Sequence, residues 1–116
     1  MKKDIAMEWV KALRSGRFKQ GDGYLRNETE RGFDYCCLGV LCEITKSNTG
    51  GQWNDSMFEV SGNIGIGVLP SNVLAQFGMK TCDGATGQNT TLATKNDDGW
   101  SFLEIADFIE KNYKKL

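Results

Sequence analysis

The stretch YCCLGVLCEI, residues 35–44, limits the fold more than any other part of the chain. Cys37, Val40, Leu41 and Ile44 recur at i, i+3, i+4 and i+7, the spacing of one helix face. Leu38 and Cys42 widen that face, so the helix predicted over 37–46 is apolar nearly all round as far as Leu41. Such a helix has no face to give to water and belongs at the centre of a domain. With 116 residues, the chain can bury one core, and a single globular domain over 1–116 is expected.

Two further helices are predicted to pack on the central one. Ile5, Trp9, Val10 and Leu13 form an apolar stripe over 4–15, with Asp4 as N-cap and Gly16 at the C-terminal stop. Ser101 and Glu104 form a capping box for a helix over 101–113, with Phe102, Ile105, Ala106 and Ile109 on one side. Short antiparallel strands are expected at about 24–27 and 33–36, joined by a loop at 28–32. QWN and MFEV flank Asp55–Ser56 as a hairpin, and GNIGIGV reads as a loop with an extended segment. A short helix is expected over 70–77, with Pro70 in its first turn and Gly78 as its stop; a turn of helix lies at 91–95, and NDDG at 96–99 reads as a turn. The fold class is α+β: a central helix, two flanking helices and short antiparallel strands. The core is expected at Trp9, Leu13, Cys37, Leu41, Ile44, Phe102, Ile105 and Ile109.

Three of the four cysteines, Cys36, Cys37 and Cys42, lie in the central stretch. Structural zinc sites pair their ligands at short spacing, usually twice or with histidine, and this chain has no histidine. Cys37 and Cys42 would sit about 140° apart around a helix and do not converge. The CxxC redox spacing is absent, and a nucleophilic thiol would lack its usual base. A helix N-terminus can activate Cys36 or Cys37. The favoured reading is that the cysteines are small buried hydrophobes. No metal, cofactor or catalytic residue is assigned. Asp97 and Asp98 are read as turn residues ahead of a helix.

The net charge of −1 hides a split: residues 1–31 carry +3 and the remainder −4. The basic segment offers a candidate ligand-binding set: Arg14, Arg17, Lys19, Gln20, Tyr24 and Arg26, around the glycines of FKQGDGYLR. Arginines and exposed backbone N–H groups suit phosphate or carboxylate. Tyr24, Trp53 or Trp100 would supply an aromatic platform. The bland alternative is that these arginines only solubilise the surface or pair with Glu28 and Glu30. A sequence pI of about 5.4 and the lack of a nucleic-acid motif place DNA or RNA lower as partners. The longest apolar run, Cys36–Cys42, is far short of a membrane span, and no signal-like segment opens the chain, so a cytoplasmic location is expected.

WVKALRSGRFKQGDGYLR, YCCLGVLCEI, VLPSNVLAQFG and NDDGWSFLEIADFIE, in that order, resemble a family of small proteins of tailed phages and prophages. The resemblance spans nearly the whole chain, with 45–68 and 79–92 particular to this member. It implies an accessory protein working in the cytoplasm of the infected host cell and carries over no catalytic residue. The expected role is a non-enzymatic binding module, such as a host-defence inhibitor. It would block a host protein or sequester a phosphorylated or nucleotide ligand. The alternatives are a nucleic-acid-associated protein or a small enzyme without histidine. A second copy of the chain is a further admissible partner.

Overall fold

In a computed structural model that describes residues 1–116, the chain folds as the expected α+β domain. The elements run α1 (Lys3–Arg14), β1 (Lys19–Gln20), β2 (Arg26–Thr29), β3 (Gly32–Tyr35) and α2 (Cys37–Thr49). Then come β4 (Gln52–Asn54), β5 (Met57–Val60), β6 (Asn63–Gly65), a 3-10 turn at Ser71–Val73 leading into α3 (Leu74–Phe77), α4 (Leu92–Asp97) and α5 (Phe102–Asn112). Two three-stranded sheets form, ordered β1-β3-β2 and β4-β5-β6. All strand pairs are antiparallel except β1 with β3, a parallel pair that the sequence pattern did not announce.

Helix α2 is buried continuously from Cys37 to Cys42, and Leu41 has no exposed surface. It runs on to Thr49, past the expected end at 46, because nothing breaks it until Gly50 adopts φ +73°. Helix α5 packs chiefly along α1 rather than on α2. Helix α1 is thus the layer between the other two, and its Trp9, fully buried, donates its indole N–H to the Cys37 carbonyl at 2.8 Å. Of the eight expected core residues, Ile44 alone is only half-buried; it lies at the groove between α1 and α2. Asp4 is not the N-cap of α1. That position falls to Lys2, whose backbone N–H bonds to the Phe77 carbonyl, and Asp4 lies in the first turn, where its charge still suits the dipole.

The YCCLG motif has a backbone explanation. Cys36 is the N-cap of α2, and its sulfur accepts the Gly39 N–H at 3.4 Å. The carbonyl of Leu25 lies 1.7 Å from where a Cβ on Gly39 would stand, so only glycine admits the crossing chain. That crossing also sets the strand register. The Leu25 carbonyl accepts the Cys36 N–H and the Leu25 N–H goes to Ile66, so β2 starts at Arg26 and the expected 24–27 strand moves two residues on.

The side chains of Gln20 and Asn96 tie the elements together. Gln20 Nε2 donates to Asn96 Oδ1 at 2.9 Å and to the Trp100 carbonyl at 2.7 Å, and its Oε1 accepts the Phe102 N–H at 3.0 Å. Asn96 Oδ1 also accepts the Cys37 N–H at 3.1 Å, and Asn96 Nδ2 donates to the Gly21 carbonyl at 2.8 Å. One N–H of the first turn of α2 and one of α5, left without partners by helix geometry, are satisfied from this pair. Asn96 therefore belongs to α4 and to the core, not to a surface turn.

Asn96→Ala removes three hydrogen bonds and strands buried donors and acceptors, so urea unfolding should show a loss of about 3 kcal/mol. Gly39→Ala should lose at least as much, about 3 kcal/mol or more, by overpacking against backbone that cannot yield. A loss under about 1 kcal/mol in either variant would contradict this account of the motif.

Candidate functional site

The six residues of the basic segment do not form one cluster. Arg14 reaches across to α5 and pairs with Asp107 at 2.7 Å and Glu110 at 3.0 Å, on an exposed face. Those acids, not Glu28 and Glu30, are its partners. Gln20 is occupied by the internal network. Lys19 is exposed on β1, opposite Asp34, and Tyr24 is half exposed beside Gly23, whose N–H bonds to Asp97 at 3.0 Å. Arg17 and Arg26 come closest to sharing a surface, because both lie on one row of aromatic rings.

That row links the two sheets. Phe18 meets Tyr35 edge-on at 5.4 Å, Tyr35 meets Trp53 at 6.0 Å, and Trp53 leans on Phe58 at 4.9 Å. The Arg17 guanidinium lies 5.3 Å from the Phe18 ring centre. The Arg26 guanidinium is held between two rings, 3.8 Å from the centre of Phe33 and 4.7 Å from that of Trp53. Strand register explains the first of these contacts. Arg26 stands opposite Tyr35 and Glu28 opposite Phe33, so Phe33 is the diagonal neighbour on the same face. The Arg26 Nε–H donates to the Asp55 carbonyl in the β4–β5 turn at 3.1 Å, which fastens one sheet to the other.

Trp53 is itself oriented: its indole N–H donates to Glu43 at 2.9 Å, and Glu43 pairs with Lys46 at 2.7 Å. Burial, helped by the Glu43 carboxylate, raises the Tyr35 phenol above its ordinary value. Arg26 has no carboxylate partner: the ion pairs of the chain involve only Arg14 and Lys46 as cations. The result is a flat cation with fixed orientation, flanked by aromatic surface, with Phe33 42% exposed. Such an arrangement receives carboxylate or phosphate in a two-pronged contact at low cost in side-chain entropy.

Beside this row, two adjoining depressions of about 500 and 550 Å³ run between α1 and α2 and share Glu8 and Ile44. Arg17, Lys11 and Glu43 line the first, Asp4 and Ile5 the second. A smaller one of about 270 Å³ lies over Gln20 and Asn96, bordered by Asp22 and Trp100. Trp100 is engaged elsewhere, with the Lys95 ammonium 4.0 Å from its ring centre and 4.5 Å from that of Phe108.

Sequence reasoning singled out Arg26 and Trp53 separately and missed Phe33 and Tyr35 as their partners. The alternation of Arg26 with Tyr24, and of Phe33 with Tyr35, was visible. The pairing that sets Arg26 against Phe33 depends on the two-residue shift forced by Leu25.

The cysteines do not take part. Cys37 and Cys42 are fully buried, and burial raises both thiols well above the ordinary value; Cys36 is pushed up to about 11 for the same reason. The Cys37 sulfur faces the Leu92 carbonyl at 3.6 Å. No three cysteine, aspartate or glutamate side chains converge as a metal site would need. In a native titration with an aromatic disulfide reagent at pH 8, only the half-buried Cys82 should react promptly, and the other three only on unfolding. A second fast thiol in the folded protein would contradict this.

No curated protein and no solved structure matches the chain. A family model described as Domain of unknown function (DUF8296) matches residues 1–113, and the chain belongs to that family.

Proposed function

We propose that this protein is a non-enzymatic binding module, a phage accessory protein that engages an acidic segment of a host protein through the Arg26 face. Blocking a component of host defence is the role such a module would serve. The observation that carries this reading is Arg26, held between Phe33 and Trp53 and fastened to Asp55, with no acid of its own chain to neutralise it. A cation fixed in this way is already in its bound conformation, which is how binding surfaces reduce the entropy cost of association. The aromatic rings around it are of the kind enriched at the energetic centres of interfaces.

The shape of the surface favours a macromolecule over a free nucleotide. Sites for small ligands enclose most of the ligand surface, whereas Arg26, Phe33 and Trp53 line none of the depressions of the molecule. With an overall charge of −1, the molecule lacks the broad basic field of a nucleic-acid binder.

A photo-crosslinking amino acid placed at Phe33 should capture a host protein in infected cells, and the same group at Leu103 on the outer face of α5 should not. Arg26→Lys keeps the charge but loses the planar stack and the paired donors. It should weaken the affinity for the captured protein at least about tenfold, or about 1.4 kcal/mol, with the melting temperature recorded alongside to separate loss of binding from loss of the sheet contact. Equal capture from both positions, or unchanged affinity in Arg26→Lys, would refute the proposal. A nucleoside di- or triphosphate that raises the melting temperature only when Arg26 is present, with no host protein captured, would assign the face to a small phosphorylated ligand instead.

A further inference from the structure

The two depressions between α1 and α2 form one groove, because Glu8 and Ile44 line both. On α1 the lining runs from Ser15 through Glu8 to Asp4; on α2 it runs the opposite way, from Glu43 through Ile44 to Asn48. The groove stays open because α5 packs along α1 and not on α2, which leaves Ile44 only half-buried. From Asp4 to Ser15 it follows α1 for about 16 Å. Its charge changes sign along that length. Lys11 and Arg17 line one half, Asp4 and Glu8 the other, with Glu8 where the halves meet. None of the four has an ion-pair partner in the chain. The dipole of α1 accounts for Asp4 in its first turn and Lys11 in its last. It does not account for Glu8 at mid-helix, nor for Arg17, which lies beyond the helix end.

The basic end of the groove adjoins the Arg26 face through two residues that belong to both. Arg17 lines the groove while its guanidinium lies over Phe18, the first ring of the aromatic row. Glu43 lines the groove while its Oε1 accepts the indole N–H of Trp53, the ring against which Arg26 packs. The Glu43 carboxylate is itself neutralised by Lys46 at 2.7 Å, so Lys11 and Arg17 set the sign of this end. A chain that leaves Arg26 along the row therefore enters the groove among cations and meets the acids only farther on.

We infer, on the reading that Arg26 receives an acidic segment of a host protein, that the same segment continues into this groove and carries its charges in a fixed order. Acidic residues meet Arg26, Arg17 and Lys11. An apolar side chain then lies over Ile44 and Ile5, and a lysine or arginine follows against Glu8 and Asp4. The order sets the direction of binding, because the reversed segment would place like charges together. It also separates this partner from a nucleic acid, whose uniform negative charge would be repelled at the Asp4 end.

The test places a photo-crosslinking amino acid in the full chain at Phe33 or, separately, at Asn48, an exposed residue of the acidic half of the groove. Mass spectrometry then locates the attachment points in the protein captured from infected cells. Both positions should mark one segment of one host protein, Phe33 beside aspartate or glutamate and Asn48 beside lysine or arginine. A synthetic peptide of that segment should bind Arg17→Glu and Glu8→Lys, both changes at exposed positions, at least about tenfold more weakly than the unchanged chain, at equal melting temperatures. Exchanging the basic residue of the peptide for glutamate should restore its binding to Glu8→Lys. Capture from Phe33 with none from Asn48 overturns the inference and leaves the Arg26 reading standing, whereas capture from neither removes both. Attachment of Asn48 to an acidic stretch, to a different protein or to a second copy of the chain overturns it, as does full-strength binding of the peptide to Glu8→Lys.

Discussion

The amide pair of Gln20 and Asn96 is the interaction on which the rest of this molecule depends. Two side-chain carboxamides hold β1, the loop after it, the start of α2, the end of α4 and the start of α5 at one point. A neutral amide suits this place because it both donates and accepts. A carboxylate could take the Cys37 N–H but could not give a proton to the Gly21 carbonyl. Asn96 is almost wholly buried and its bond from Cys37 is made away from competing water, so losing it leaves the buried Cys37 N–H unpaired. The core then grows outward from this point: Trp9 hydrogen-bonds the Cys37 carbonyl in the first turn of α2, and α5 closes over α1.

The two sheets are joined differently. They meet through edge-on and tilted rings and one arginine rather than through a shared strand. The same side chains that make this junction make the candidate binding face, so stability and recognition draw on one set of contacts. Arg26 cannot swing away without loosening its bond to Asp55 and its contacts with Phe33 and Trp53. This keeps the guanidinium in place at the surface, where a free arginine would sample many rotamers.

The helices were legible in the sequence because their signals are local. The capping box at Ser101 and Glu104 is present with both of its hydrogen bonds, and the apolar run Cys37–Cys42 is buried as its periodicity demanded. The short helix stopped by Gly78 and the hairpin at Asp55–Ser56 were also readable from turn chemistry, although Pro70 stands before the helix, as the N-cap of the 3-10 turn that leads into it, and not in its first turn. What escaped was set by contacts between distant residues. Asn96 looks like a turn former, and its place in the core comes from meeting Gln20, Gly21 and Cys37, 59 to 76 positions earlier. The start of β2 depends on where Leu25 crosses Gly39, and the parallel β1–β3 pair follows from the bond between Gly21 and Tyr35. The basic segment was recognisable as charge, but sequence could not tell that Arg14 is tied to α5 while Arg26 lacks an acid. That distinction rests on which acids the fold brings near.

The bond from Cys37 to Asn96 also orders the assembly of the chain in time. The two residues are 59 apart, and the donor from Phe102 to Gln20 spans 82. The β4-β5-β6 meander, by contrast, pairs near neighbours and can form as soon as it is made. During synthesis the most apolar helix of the protein therefore waits, with its first turn unfinished, until the last quarter of the chain arrives. Closing such long loops is slow, and over that interval Leu38, Val40 and Leu41 remain in search of cover. A small protein built this way spends its most aggregation-prone moments before its final helix emerges.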